Sequence, residues 1–214
     1  MADRRYPIEK TGYSERLLEC NGLREAGFDR WAFFPGMLFR AREKWWGERG
    51  PRPSAHEGVD LCLYSSEPGH LLELDESTHI PVMFEGEVSK IEKDYLGQSV
   101  YVDHAIDDGD GRRLWTMYGH MKPADHIKPG ERVRQGEIIA SLTEKRKKTT
   151  GPRPHLHLTM AWVSPERAFR ELNWETLHDP GIAILLDPLH AMDCPYRILD
   201  PDSSLEALRI DGIP

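Results

Sequence analysis

From about residue 56 onward, the chain contains short segments in which apolar and polar residues alternate. The alternation is clear at residues 59–63 and 100–104, and further candidate strands lie at residues 114–118, 137–142 and 156–160. A period of two residues is typical of a half-buried β-strand. Residues that favour turns separate these segments. We therefore expect a mainly β fold with a few peripheral helices.

The turns and helices around these strands can also be predicted. Residues 107–111 read Asp-Asp-Gly-Asp-Gly, which favours a hairpin turn and lacks the ligand spacing of a calcium loop. Ser14 is expected to cap a short helix. Ser164, followed by a proline, predicts a second helix that runs to about Trp174.

The chain divides into three parts by composition. Residues 1–50 are predicted to form an N-terminal extension, and their many aromatic side chains indicate that it packs on the main domain. Residues 51–192 form the main domain, and residues 193–214 form a C-terminal tail.

The composition excludes several classes of protein. Hydrophobic residues make up 39% of the chain, which is enough for a core, and the net charge of −8 argues against binding along a nucleic-acid backbone. No apolar run approaches the length of a membrane span, and the charged N-terminus does not resemble a signal peptide. We therefore expect a cytoplasmic protein with reduced cysteines. A periplasmic or extracellular location would require unconventional export or a leader that is removed ahead of residue 1.

Two histidines on one predicted strand give the first indication of chemistry. Side chains alternate faces along a strand, so His155 and His157 point to the same side. Zinc binds imidazole nitrogen and carboxylate oxygen, and a catalytic zinc site has about three protein ligands. Asp60 lies on another predicted strand and can supply the carboxylate. His56, in the loop before that strand, can reach the same site.

A further histidine, His120, follows another predicted strand. A regular strand would place His120 on the same face as Tyr118, but Gly119 between them can break that register. The remaining histidines have no comparable sequence context, and we interpret them as ordinary polar residues.

These motifs together resemble the LytM-type zinc metallopeptidases, the family of lysostaphin and many peptidoglycan endopeptidases. The resemblance covers roughly residues 45–190. It depends on the His56-x-x-x-Asp60, Tyr118-x-His120 and His155-x-His157 motifs, on the turn pair at residues 127–136, and on Asp-Pro-Leu at residues 187–189. It implies an antiparallel β-sheet or sandwich with a groove and a core like that of a barrel-sandwich hybrid.

The resemblance also implies an activity and a set of site residues. One zinc per chain would be held by His56, Asp60 and His157, and a metal-activated water would hydrolyse a peptide bond, with peptidoglycan cross-links as the expected substrate. His120 and His155 would be catalytic. One would accept a proton from water, and the other would stabilise the oxyanion or protonate the leaving amine; the sequence does not say which.

Other residues are candidates for binding the substrate. Lys147 and Lys148, within a basic run, and Arg153 could meet substrate carboxylates at the edge of the groove, and Tyr118 is a further candidate. After His157 the chain continues Leu-Thr-Met, where the family often has Phe-Glu-Val, so a carboxylate beside the metal ligand is absent.

Three alternatives to this enzyme remain. The chain could be a catalytically silent LytM-like scaffold that binds peptidoglycan or regulates another hydrolase. It could be a metal hydrolase that acts on another amide. It could also be a carrier of the biotinyl or lipoyl type, although Lys122 between Met121 and Pro123 matches a carrier poorly. The oligomeric state stays open.

Overall fold

A computed structural model describes residues 8–66, 70–144 and 151–202 of the chain. These residues form three α-helices, one turn of 3-10 helix at Pro35–Met37, and thirteen strands. The helices are α1 (Tyr13–Cys20), α2 (Pro165–Glu171) and α3 (Pro188–Met192). The strands are β1 (Arg30–Phe33), β2 (Val59–Leu61), β3 (Leu63–Ser65), β4 (Leu71–Glu73), β5 (His79–Pro81), β6 (Gly86–Lys93), β7 (Gln98–Asp107), β8 (Arg113–Pro123), β9 (Arg132–Val133), β10 (Ile138–Leu142), β11 (Leu156–Val163), β12 (Ala183–Leu186) and β13 (Tyr196–Ile198).

The strands of the described residues form two sheets. The larger has nine strands, with a main path β12-β11-β8-β7-β6-β9; β10 joins β8 to β5, and β2 pairs with β11. All the pairings in this sheet are antiparallel. The smaller sheet has the order β13-β1-β3-β4, with a parallel β1–β13 pair. The predicted mainly β fold with antiparallel sheets and few helices is confirmed.

The strand predicted at residues 59–63 is two strands in the structure. β2 pairs with β11 in the larger sheet, whereas β3 pairs with β1 and β4 in the smaller one. The chain changes sheets at Cys62, whose side chain is buried. The expected single strand over residues 59–63 is therefore wrong, and every residue of β2 and β3 is buried.

The predicted hairpin and the start of the second helix are confirmed. β7 and β8 are joined at residues 108–112, where two glycines have left-handed backbone angles. α2 begins at Pro165 after Ser164, but it ends at Glu171 rather than near Trp174. The prediction that Ser14 caps a helix is wrong, because α1 follows Gly12 and Ser14 lies in its first turn. The Ser14 hydroxyl instead accepts a hydrogen bond of 2.8 Å from the Trp31 indole.

The N-terminal segment shares the main core with both sheets. Tyr13 and Leu17 of α1 and Trp31 of β1 belong to the same buried cluster as Val59 of β2 and Leu158 of β11. This packing joins residues on both sides of the predicted boundary at residue 50, and the boundary itself stays a prediction. None of the described helices is long and apolar enough to span a membrane.

Gly58 allows the close approach of β2 to β11, and this generates the first testable prediction. A Cβ atom at Gly58 would lie 2.2 Å from the Leu158 carbonyl oxygen and 2.7 Å from the Thr159 hydroxyl. Gly58→Ala must push the two strands apart, so we expect it to lower the free energy of unfolding by about 1–3 kcal/mol. Denaturant unfolding followed by circular dichroism measures this change.

Gly50→Ala is the matched control, because a Cβ atom there would meet no atom within 4 Å. Its effect should stay within about 0.5 kcal/mol. Equal stabilities for the two variants would contradict the close packing at Gly58.

Candidate metal centre

The register of β2 and β11 brings the predicted carboxylate and imidazole together. His157 lies directly opposite Asp60 in this antiparallel pair. Residues opposite each other on neighbouring strands have side chains on the same face of the sheet. On its other side, His157 lies opposite Gly119 of β8. The position between Asp60 and Gly119 gives His157 a carboxylate on one side and, on the other, a residue without a side chain.

Three potential ligand atoms converge at this point. His157 Nδ1 lies 2.8 Å from Asp60 Oδ1 and 3.2 Å from His56 Nε2, and His56 Nε2 lies 3.2 Å from Asp60 Oδ1. The Zn–N distance of 2.0–2.1 Å in proteins makes the edge of a zinc coordination tetrahedron about 3.3 Å. The three atoms therefore have nearly the spacing of three corners of such a tetrahedron.

Hydrogen bonds on the far side of each ring set the ligand nitrogens. His56 Nδ1 lies 3.0 Å from the Leu38 carbonyl oxygen, to which it donates, so His56 Nε2 carries a lone pair. His157 Nε2 lies 3.0 Å from the Thr159 hydroxyl, and donation to that oxygen leaves a lone pair on His157 Nδ1. Two nitrogen lone pairs and a carboxylate oxygen then face one another with no hydrogen between them. This donor set fits a cation, and zinc in particular.

Thr159 occupies the position where the sequence comparison expected a carboxylate. Its hydroxyl contacts the ring nitrogen of His157 that does not face Asp60. A threonine can thus orient the ligand in the way that a carboxylate does elsewhere, because both offer an oxygen to the ring N–H.

The second oxygen of Asp60 is held by the N-terminal segment. Trp45 donates its indole N–H to Asp60 Oδ2 over 2.7 Å, and Arg52 Nη2 lies 3.5 Å from the same atom. Burial alone would raise the pKa of Asp60, but the electrostatic influence of the neighbouring His56 and His155 holds it well below its usual value. Asp60 is therefore a carboxylate with one oxygen fixed and the other directed at the site.

His120 approaches the site from a break in β8. The pairing with β7 shifts register there, and His120 has a left-handed backbone with φ of 67°. Asp94 holds this conformation: it accepts hydrogen bonds from the His120 backbone N–H over 2.8 Å and from Nδ1 over 3.1 Å. Burial raises the pKa of Asp94, but the bonds from His120 and Ser99 outweigh this and lower it overall.

His155 completes the cluster. Its Nδ1–H donates to the Arg153 carbonyl oxygen over 2.7 Å, and its Nε2 lies 3.5 Å from Asp60 Oδ1. The rings of His120 and His155 are in edge contact, with centroids 4.8 Å apart. Burial lowers the pKa of His155 to about 3. The structure thus brings together all five residues that the sequence analysis proposed for metal binding and catalysis.

The residues proposed to bind substrate have different positions. Tyr118 is fully buried in the core, where its hydroxyl accepts the Met83 backbone N–H over 2.7 Å. Arg153 forms an ion pair with Glu73 at 2.5 Å. Lys147 and Lys148 lie outside the described residues.

The sequence analysis missed three residues at the site: Asp94, Trp45 and Trp174. Asp94 accepts backbone N–H groups from Leu96 and Gly97, so in the sequence it has the pattern of an ordinary turn aspartate. Trp45 was predicted only to pack on the domain. The ring of Trp174 lies against that of His157, with centroids 5.0 Å apart, and no sequence signal marked it.

Comparison with known families identifies part of the chain. Residues 65–168 match the sequence model of Peptidase family M23. This match confirms the resemblance seen in the motifs. It contains His120, His155 and His157, and it begins after His56 and Asp60. No curated protein matches the sequence significantly.

Several solved structures are similar to the chain. A mutant catalytic domain of the prophage-encoded M23 protein EnpA from Enterococcus faecalis is 24% identical; the alignment covers 63% of this chain and 88% of that one, with a TM-score of 0.38. The catalytic domain of the antimicrobial peptidase lysostaphin from Staphylococcus simulans is 15% identical, with coverages of 81% and 96% and a TM-score of 0.43. LytU is 22% identical, with coverages of 72% and 96% and a TM-score of 0.40.

Trp45 provides a test of the metal centre. Trp45→Phe keeps most of the packing but removes the N–H that fixes Asp60 Oδ2. Loss of such an outer partner typically weakens metal binding by about 10–100-fold. We expect this loss in a competition titration of zinc against a chromogenic chelator.

Trp46→Phe is the matched control. Trp46 packs against Trp45 with ring centroids 5.7 Å apart, and its ring lies under Arg52 rather than bonding Asp60. Zinc affinity should be unchanged in this variant. Unchanged affinity in Trp45→Phe as well would show that the indole hydrogen bond does not support the site.

Proposed function

We propose that this chain, whose residues 65–168 match Peptidase family M23, is a zinc-dependent endopeptidase that cleaves the peptide cross-links of peptidoglycan. The family match supports peptidase chemistry. The observation that carries the zinc proposal is the convergence of two imidazole lone pairs and one carboxylate oxygen within 3.2 Å of one another.

Zinc would be held by His56 Nε2, Asp60 Oδ1 and His157 Nδ1. Zinc supplies Lewis acidity in such a site, polarising the scissile carbonyl and lowering the pKa of water. Three protein ligands leave a fourth position for the reactants, as in catalytic zinc sites generally.

His155 is suited to accept the proton of the attacking water. Its Nδ1–H is committed to the Arg153 carbonyl oxygen, so the lone pair lies on Nε2, the atom that is 3.5 Å from Asp60. A general base needs an unprotonated nitrogen within reach of the water. Because the hydrogen bond to Arg153 fixes the tautomer, we assign this role to His155 Nε2.

His120 is suited to stabilise developing negative charge and to protonate the leaving amine. Its Nδ1–H donates to the Asp94 carboxylate, and that carboxylate would offset the positive charge of the ring whenever Nε2 also carries a proton. An imidazolium ring can donate a hydrogen bond from Nε2 to the oxyanion and then transfer that proton to the amine. The two histidines thus have different partners and different roles.

The choice of peptidoglycan as the proposed substrate rests on the similarity of the motifs to those of LytM-type enzymes. It requires that the chain reach the cell wall, so in this proposal the protein acts in the periplasm or outside the cell. Arg153, together with Lys147 and Lys148, remains our proposal for contacts with substrate carboxylates.

Zinc content tests the proposal directly. Wild-type protein purified without added metal should contain about one zinc per chain, the stoichiometry of a single three-ligand site. His157→Ala should lose most of it and should not release soluble fragments from purified peptidoglycan. Elemental analysis and mass spectrometry of the digest measure these two results.

His126→Ala is the control, because His126 has an exposed side chain and faces Glu137 rather than the site. It should retain both zinc and activity. Absence of zinc and of cleavage in the wild type after reconstitution would overturn the proposal. Binding to peptidoglycan without cleavage would favour the silent scaffold.

Asp94 provides a test of the assigned roles. Asp94→Asn removes the carboxylate facing His120, so the His120 Nδ1–H loses its charged hydrogen-bond partner. A positioned acid–base group contributes about 10²–10⁴-fold, so we expect kcat to fall by at least tenfold. Zinc content and KM should remain unchanged, because Asp94 does not touch the ligand atoms.

Asp108→Asn is the matched control. Asp108 accepts backbone N–H groups from Asp110 and Arg112 in the β7–β8 hairpin, as Asp94 does in its own turn, and among the described residues the hydrogen bonds of its side chain stay within that hairpin. Its kcat should equal that of the wild type. Equal kcat values in both variants would contradict the role of Asp94, and loss of zinc in Asp94→Asn would point to a structural role instead.

A further inference from the structure

A cationic pocket adjoins the metal centre along the free edge of the larger sheet. It has a volume of about 400 Å³, and its walls are β12 on one side and residues before β2 on the other. His56 lines it, together with Arg40, Arg42 and His178. His56 is therefore shared by the pocket and the candidate metal site.

The two arginines are held at fixed positions relative to His56. Arg40 donates its backbone N–H to the His56 carbonyl oxygen over 2.8 Å, and His56 donates its own N–H to the carbonyl oxygen of Ala41 over 2.9 Å. The Arg42 carbonyl oxygen accepts the Arg52 N–H over 2.8 Å. The wall that carries the two guanidinium groups is thus tied to a metal ligand by backbone hydrogen bonds.

These guanidinium groups have no acidic partner among the described residues. Both arginines are exposed, and no carboxylate of residues 8–66, 70–144 or 151–202 forms an ion pair with either. Arg40 lies over the ring of Phe39. Positive charge at this end of an acidic chain favours an anionic occupant.

The opposite wall offers unpaired backbone groups. β12 is the terminal strand of the sheet and pairs with β11 alone. Ser164 donates its N–H to the Ile182 carbonyl oxygen over 2.9 Å. Backbone groups in an antiparallel pair alternate between facing the partner strand and facing away from it. The backbone groups of Ile184 therefore face β11, and those of Ala183 and Leu185 face outward. The Ala183 N–H is used by Asp179, which leaves the Ala183 carbonyl and both backbone groups of Leu185 at the free edge.

This edge leads toward the metal centre. β2 and β12 pair with the same side of β11, β2 opposite residues 156–158 and β12 opposite residues 160–163. The chain before β2, which contains His56, therefore lies next to the end of β12. An extended peptide paired with β12 would run toward His56.

We propose that this pocket binds an acidic peptide, which adds to β12 as a further strand and places a carboxylate between Arg40 and Arg42. Main-chain hydrogen bonds to a sheet edge give affinity in such complexes, and side-chain pockets give specificity. The inference rests on the proposed function: the peptide is the part of the substrate on one side of the cleaved bond. It assigns the enzyme a preference for substrates with a carboxylate near that bond.

The test uses the zinc-loaded full-length chain and two fluorescein-labelled pentapeptide amides, Ala-Ala-Glu-Ala-Ala and the same peptide with Gln for Glu. Fluorescence anisotropy gives the Kd of each, and mass spectrometry checks that the probes stay intact. We expect the Glu peptide to bind about tenfold more tightly, as for a charge-assisted hydrogen bond. The preference for Glu should fall below about twofold in R40Q/R42Q, since this variant removes both guanidinium groups that would pair with the carboxylate.

The matched control is R132Q/R134Q, which removes two exposed arginines at or beside β9, at the other end of the sheet path. This variant should keep the preference for Glu. N-methylation of the Glu peptide at alternate residues tests the strand pairing: one of the two registers should abolish binding and the other should not.

Three results would overturn the inference: equal Kd values for the two peptides in the wild type, a preference that survives in R40Q/R42Q, or equal effects of both N-methylation registers. Peptidoglycan digestion by the same preparation is measured in parallel. Digestion together with equal Kd values would remove the acidic-peptide site and leave the proposed function standing. Absence of zinc and of digestion would remove the proposed function itself, whatever the peptides show.

Discussion

The candidate site depends on one pairing, that of β2 with β11. It sets His157 opposite Asp60, at 2.8 Å between ring nitrogen and carboxylate oxygen, and it holds His56 beside both because His56 lies three residues before the start of β2. A shift of one residue would turn Asp60 to the other face of the sheet. Gly58 permits this register, because a larger residue would collide with the Leu158 carbonyl oxygen.

The N-terminal segment supports this pairing from outside. The Leu38 carbonyl sets the tautomer of His56, and Trp45 holds the oxygen of Asp60 that does not face the site. Outer partners of this kind fix ligand orientation. The family match begins only at residue 65, so these contacts lie in a part of the chain that the match does not cover. In this protein, the residues before β2 contribute to the site as well as to the core.

The sequence predicted local features of this molecule better than it predicted contacts between distant segments. The period of two at the start of β11 correctly placed His157 together with His155, which directly precedes the strand, and turn residues predicted the β7–β8 hairpin. Nothing local reveals which strands pair, so Asp94 could not be distinguished from any turn aspartate, nor Trp45 from any core aromatic. The expected strand at residues 59–63 was wrong for the same reason: its two halves pair with different sheets, and alternation alone does not show that.

His120 lies at the candidate site because β8 departs from regular strand geometry at this residue. Tyr118 points into the core, and in a regular strand His120 would share its face. The break at Gly119 and the left-handed backbone of His120 turn its ring to the site instead. A left-handed conformation costs a non-glycine residue about 1–2 kcal/mol. Two hydrogen bonds to the buried Asp94 carboxylate offset that cost. The same carboxylate therefore holds both the strained backbone and the ring of His120, which is why a single aspartate outside the motif can govern the position of His120.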